Sequence, residues 1–289
     1  MRDQEQGDGV SDLRELLFFY ADSGADEALG EEPVNRLASK KPPARVRQAA
    51  PADGEREAPA QARPTTPARA VTDEPVPTPA AIPDERQTER ARELARTAGS
   101  LEELRALLAD FDGCNLKFTA KNLAFSDGDP TADVMFVGEA PGRDEDLQGL
   151  PFVGRSGKLL DRMLAAIGLD RGKAYIANVI PWRPPGNRTP TPLETEICRP
   201  FIERQIELAA PKVLVTLGGP SAKALLRTQE GILRMRGSWR THTTASGIEI
   251  PAMPTLHPAY LLRNPAHKRL AWRDFLALKL KLQELRDSP

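Results

Sequence analysis

Short apolar runs alternating with amphipathic helical segments constrain this chain more than any other feature. Residues 133–137, 174–180, 213–217 and 250–256 each read as a buried strand. Continuous apolar runs of this kind belong to sheets covered on both faces. Helical patterns follow over 156–167, 192–209 and 220–226, and another over 267–285 closes the chain. Thr191, Pro192 and Glu194 form an N-cap, a first-turn proline and a capping box for the second of these, and Pro211 stops it. Strands alternating with helices predict an α/β fold with a central, mostly parallel four-stranded sheet, flanked by helices on both faces in a three-layer sandwich. Two helices precede the first strand, one over 85–97 and one opened by the capping box Ser100 to Glu103 and ended by Asp112-Gly113. A weaker hairpin is expected over 232–250.

The N-terminal part has a different character. Residues 1–35 hold 2 basic and 10 acidic side chains, a balance of −8, so a net charge of −1 leaves +7 for the remainder. A basic body with an acidic arm suits a polyanionic ligand. Within the arm, Ser11 to Tyr20 reads as a short amphipathic helix with apolar Leu13, Leu16, Leu17 and Tyr20. Residues 41–83 contain ten Pro and eleven Ala among 43 residues. Such a stretch buries too little apolar surface to offset its ordering entropy and reads as a disordered linker. The expected organisation is an acidic arm with a helix (1–40), a linker (41–83) and a folded body (84–289). The segment 11–22 is then either a poorly ordered tail or a recruitment peptide for a protein partner's groove. Two cysteines, Cys114 and Cys198, imply no disulfide framework. No apolar run approaches the ~20 residues of a membrane span, and the acidic N-terminus lacks the order of a signal peptide. A monomeric cytoplasmic protein is expected.

The chemistry-bearing residues gather where strands end. Gly138-Glu139-Ala140-Pro141-Gly142 follows the first strand, with glycines that allow close approach of a ligand. Phe152 lies in a loop between Pro151 and Val153-Gly154, either as a core plug or as a face on which a flat base stacks. Asn178 interrupts an apolar strand end, and its amide can pair with the edge of a pyrimidine or cap a turn. Asn187 and Arg188 occupy a rigid Pro/Gly loop suited to a phosphate or to steadying the site. His257 precedes Pro258 at the end of the last strand, with Arg263, Lys268 and Arg269 close behind. Those cations suit a phosphate-gripping face beside an imidazole. A nucleotide hydrolase is disfavoured, because no Gly-Lys-Ser/Thr and no metal-binding Asp cluster accompanies the first loop.

Four separated motifs, at 138–142, 151–157, 183–192 and 257–263, together resemble the family 4 uracil-DNA glycosylases, in that family's order, from about Phe111 to Leu282. The resemblance implies the glycosylase-type three-layer fold and a monofunctional hydrolase. Such an enzyme cleaves the bond between uracil and deoxyribose, in single- or double-stranded DNA, as a step of base excision repair. It implies Glu139, His257 and Asn187 as catalytic residues and Gly138, Ala140, Glu145, Phe152 and Asn178 around the base. Glu145 is expected to help close the pocket against the methyl of thymine. Arg188, Arg263, Lys268 and Arg269 are expected to hold the DNA. A protein that kept the pocket and binds nucleic acid without catalysis is the alternative of a different class.

One departure stands out. The family carries a 4Fe-4S cluster on four cysteines. This chain has Cys114 and Cys198 at the first and fourth places, with Lys117 and Trp182 at the second and third. Cluster irons take four soft ligands, so no cluster and no other cofactor is expected, with Trp182 packing into the cluster's place.

Overall fold

The computed structural model describes residues 85–287. The acidic arm with its helix and the Pro/Ala-rich segment lie outside the described residues. Helices α1 (Glu85–Thr97) and α2 (Leu101–Asp110) come first. The capping box between them forms: the Glu103 amide donates to Ser100 Oγ at 3.1 Å. A single turn, α3 (Leu116–Thr119), leads to the sheet.

The sheet has six strands, in the order β1-β3-β2-β4-β6-β5. Four of them are the expected buried runs: β2 (Val134–Gly138), β3 (Tyr175–Asn178), β4 (Val213–Leu217) and β6 (Glu249–Thr255). They pair in parallel throughout. The expectation of four strands is corrected by two antiparallel edges, β1 (Asp127–Gly128) and β5 (Arg240–Thr243). Edge strands bond on one side only and need no continuous apolar run. In β1 two residues carry no pattern at all, and in β5 only His242 is buried. The hairpin expected over 232–250 forms only in its later half. Its start is a helical turn, α8 (Ile232–Met235).

Successive side chains of a strand point to opposite faces, and two cores follow. Met135, Val137, Tyr175, Ala177 and Leu214 pack with α1, α2 and α6 (Pro192–Ala209). Val134, Phe136, Ile176, Val213 and Val215 pack with α5 (Arg155–Ala166) and α10 (Lys268–Asp287). Phe136 and Phe275 stack across the second interface with ring centroids 6.0 Å apart. Strand β2 sits between β3 and β4, so the chain moves to one side of it and then crosses to the other. In open parallel sheets the crevice beyond the strand C-termini at such a reversal is where ligands bind. Among the described residues no helix is long and apolar enough to cross a membrane.

Candidate active site

Three strand ends converge on that crevice. The loop after β2 carries Glu139 and runs into α4 (Arg143–Gln148). Ladder bonding continues past β2, with the Val179 amide on the Gly138 carbonyl and the Ile180 amide on the Glu139 carbonyl, both at 3.0 Å. This holds the first loop beside Asn178, the last residue of β3. Strand β6 delivers His257, the N-cap of α9 (Pro258–Arg263). Helix α7 (Gly219–Leu226) ties down the same edge, because Ser221 Oγ donates to the Val137 carbonyl at 2.7 Å.

These ends enclose a cavity of about 300 Å³. Glu139, Ala140, Glu145, Phe152, Asn178 and His257 line its inner part. Asn187, Arg188 and Arg263 line it as well, and all three are exposed. Gly138 lies beneath it. A β-carbon there would fall 2.4 Å from Asn178 Oδ1 and 2.5 Å from Phe152 Cζ. Only glycine lets the aromatic ring and the amide close over the strand end.

His257 is set as a donor by its own turn. The Ala259 amide donates to His257 Nδ1 at 3.0 Å. A neutral imidazole that accepts at one nitrogen carries its proton on the other, so Nε2–H is the donor. Burial, with a smaller contribution from the Arg263 charge, pushes the imidazole pKa down to about 4. The ring is therefore neutral at ordinary pH. It stacks on Phe152, with centroids 5.4 Å apart and planes 30° apart. Burial alone raises the Glu139 carboxyl above its ordinary value.

Asn178 is 5% exposed, and its Oδ1 has no hydrogen-bond partner within the protein. A buried carbonyl without a partner costs about 1–3 kcal/mol, and a ligand N–H in the cavity would satisfy it. Phe152 is 4% exposed but still presents ring surface to the cavity. Its backbone is left-handed, with φ of 55°. The Arg171 guanidinium holds this conformation by donating to the Phe152 carbonyl while pairing with Asp127 and Asp161. Gly157 admits the bend, since a β-carbon there would lie 1.6 Å from that carbonyl oxygen.

Other residues brace the walls. Glu145 is buried, and its carboxylate accepts from the Gly142 amide at 3.1 Å and the Gly154 amide at 3.0 Å. It clamps two site loops together and spends both oxygens doing so. Arg188 makes a bidentate pair with Glu194 at 2.6 and 2.9 Å. Its guanidinium buttresses the start of α6. Arg183 Nε donates to Asn187 Oδ1 at 2.7 Å. Lys268 borders a separate cavity with Trp272, and Arg269 is exposed at the start of α10, so neither joins this pocket. Sequence reasoning missed Arg171, Arg183 and the Ala259 amide. For Ala259 a signal existed, since a histidine before a proline at a helix start is placed as an N-cap. Arg171 acts through contacts distant in sequence that no local pattern announces, and Arg183 joins its local bond to Asn187 with a distant pair to Asp146 at 3.8 Å.

Cys114 and Cys198 are buried with their sulfurs 3.8 Å apart. The Cys198 thiol donates to Cys114, and this bond together with burial raises the Cys198 pKa well above the usual thiol value. Trp182 is 2% exposed and packs in the same core, while Lys117 stays partly exposed. Among the described residues no group of three or more His, Cys, Asp or Glu could hold a metal. Two thiols do not fit a four-thiolate iron–sulfur cluster.

The family model described as the uracil DNA glycosylase superfamily matches residues 125–277. The chain belongs to that superfamily. The matched span runs from just before β1 to within α10 and includes every residue named above as lining the pocket. The chain is 38% identical to a type-4 uracil-DNA glycosylase of Sulfurisphaera tokodaii over 198 residues, 66% of this chain and 86% of that one. It is 40% identical to a type-4 uracil-DNA glycosylase of Saccharolobus solfataricus over 57% of this chain and 79% of the relative. A type-4 uracil-DNA glycosylase of Thermotoga maritima is 39% identical over 54% and 79%. This superfamily member thus spans most of each relative's length.

Proposed function

We propose that this protein excises uracil from DNA by hydrolysing the bond between the base and deoxyribose, leaving an abasic site for repair. A base stacked in a duplex is out of reach, so the nucleotide must swing out into the 300 Å³ cavity, at a cost of a few kcal/mol when it starts in a duplex. As the C1′–N1 bond breaks, its electron pair leaves with uracil and the sugar becomes cationic. Water then adds its oxygen to C1′ and loses a proton.

One observation carries the assignment: the Ala259 amide holds His257 Nδ1 as an acceptor at 3.0 Å. A neutral Nε2–H donor then faces the pocket, suited to the charge developing on uracil O2. One such pre-aimed donor supplies about 2.7–4 kcal/mol of barrier reduction. Glu139 is assigned to the sugar side, where it orients water and stabilises the cation. Burial raises its carboxyl above the ordinary value, and a neighbouring positive sugar favours the ionised form. Phe152 stacks on the base, and Asn178 Oδ1 accepts from N3–H. Cytosine has an unprotonated N3 at that position and is rejected. Glu145 fixes the loop spacing around the base, and Asn187 steadies the outer wall. Arg263 and, further out, Lys268 and Arg269 are the cations available to phosphates.

We also infer that the chemistry runs without an iron–sulfur cluster, since only two thiols are available and Trp182 is buried in the same core. A monomer acting on cytoplasmic DNA, with segment 11–22 as its contact for another protein, completes the reading. The test is product analysis of uracil, hypoxanthine and mismatched-thymine oligonucleotides incubated with the full-length protein. Free uracil with an alkali-labile strand is expected. A base-intact strand after long incubation overturns the proposal.

A further inference from the structure

Three cavities join into one trough. The 300 Å³ pocket shares Glu139, Thr189 and Pro190 with a second cavity of about 610 Å³. The second shares Glu196, Lys223, Ala224 and Gln229 with a third of about 550 Å³, lined by α1, α6 and α7. Its character changes along the way. The middle stretch has an apolar floor whose accessible part is Pro192, Pro220 and Ile232, over buried Val179 and Ile180. The far basin is cationic, with six Arg and Lys side chains against three Glu.

Half of those cations are committed. Arg199 and Arg227 bond Glu203, and Arg204 bonds Glu207. Arg92, Arg96 and Lys223 are exposed and have no carboxylate partner among the described residues. Arg92 and Arg96 stand four residues apart on α1, which puts them on one helix face. Both lie outside the matched superfamily span of 125–277.

We propose that this trough is the track of the substrate strand, an inference that rests on the glycosylase reading. With the target base held between Glu139 and His257, the nucleotides on one side lie along the apolar floor. Their phosphates then run to Arg92, Arg96 and Lys223. Sites for unpaired strands combine a basic groove with apolar surface against which base faces lie. Paired bases hide those faces in the stack, so the floor selects an unpaired strand. The basin lies on one side of the pocket, so it serves the nucleotides on one side of the target base.

The experiment compares the full-length protein with the triple variant R92A/R96A/K223A. Affinity for an undamaged single strand of about 25 nucleotides is followed between about 50 and 200 mM salt. Three lost phosphate contacts flatten the slope of log K against log salt by about 2, so the wild-type advantage shrinks about twentyfold across that range. Excision is then measured on uracil strands of about five nucleotides and on strands lengthened on one side only. Both proteins are expected to act equally on the short strand. The wild type gains from lengthening on one side, and the variant loses that gain. An unchanged salt slope overturns the track, and is the outcome if the basin holds an acidic protein segment instead. Equal losses on short and long strands also overturn it. Absence of uracil release from every strand by the wild type overturns the glycosylase reading instead, while the salt slope still decides the track.

Discussion

Gly138→Ala tests the geometry of the pocket with a single methyl group. The added carbon would lie 2.5 Å from Phe152 Cζ and 2.4 Å from Asn178 Oδ1, whereas ordinary contact begins at 3.4 Å. The ring and the amide must therefore retreat by about 1 Å, a displacement that can cost on the order of 10²-fold in rate when it moves positioning groups. Both backbones are fixed, so the clash is relieved only by turning the ring and the amide out of place. Phe152 is fixed by the Arg171 guanidinium on its carbonyl and by the close approach of Gly157. Asn178 is paired with Gly138 in the sheet. Overpacking of this kind costs about 1–3 kcal/mol of stability, so Tm falls by a few degrees while the fold survives. The assay is kcat/KM for uracil release from a single-stranded oligonucleotide, beside a thermal melt. Gly99→Ala is the control, because its β-carbon makes only ordinary contact, 3.4 Å from Glu103 Oε2, and it lines neither the pocket nor the trough. A folded Gly138→Ala protein within about threefold of wild-type kcat/KM would refute the close-packed pocket, set against the 10²-fold loss expected from misplacement.

Activity should fall with acid along a limb set by Glu139, lying above the ordinary carboxylate value because burial raises that group; Glu139→Gln should remove the limb along with most of the rate. No limb is expected near 6.5, because His257 takes up its proton only at about 4. The same group contributes to stability. The unfolded chain binds that proton first as pH drops below about 6.5, so the contribution is whole above that pH and is lost on the way down toward 4; urea titrations at pH 7 and 5, compared between wild type and His257→Ala, read it out. Asn178→Leu removes a buried carbonyl with no protein partner, so Tm should not fall although uracil excision is lost; a large drop in Tm would contradict the unpaired state of Oδ1. Fresh protein should show neither absorbance near 400 nm nor stoichiometric iron and sulfide, and finding both would overturn the reading of the Cys114–Trp182–Cys198 core.

The parallel centre of the fold was legible because strands buried on both faces must be apolar throughout, and Val134–Val137 and Val213–Leu217 have no other use for that pattern. The edges were not: Asp127-Gly128 pairs through its backbone alone, and Arg240–Thr243 keeps mostly polar side chains in solvent. The short helices at 143–148 and 258–263 were hidden because each occupies a loop that already read as a motif. In the site, the residue types at strand ends pointed to the pocket, since sheet topology forces those ends together. What they bond to was hidden. Arg188 reads as a phosphate ligand in sequence, yet Glu194 holds it through a contact the helix start creates. The left-handed turn at Phe152 depends on Arg171, nineteen residues away. Such pairings are set by tertiary packing, which local pattern does not encode.

The central claim is that a neutral imidazole, aimed by a backbone amide, stabilises departing uracil. Single-turnover uracil release by His257→Ala, measured beside its affinity for the same DNA, tests it most directly. A rate loss of about 10²–10³ with affinity nearly unchanged is predicted. A rate equal to wild type, or a loss that affinity alone accounts for, would contradict it.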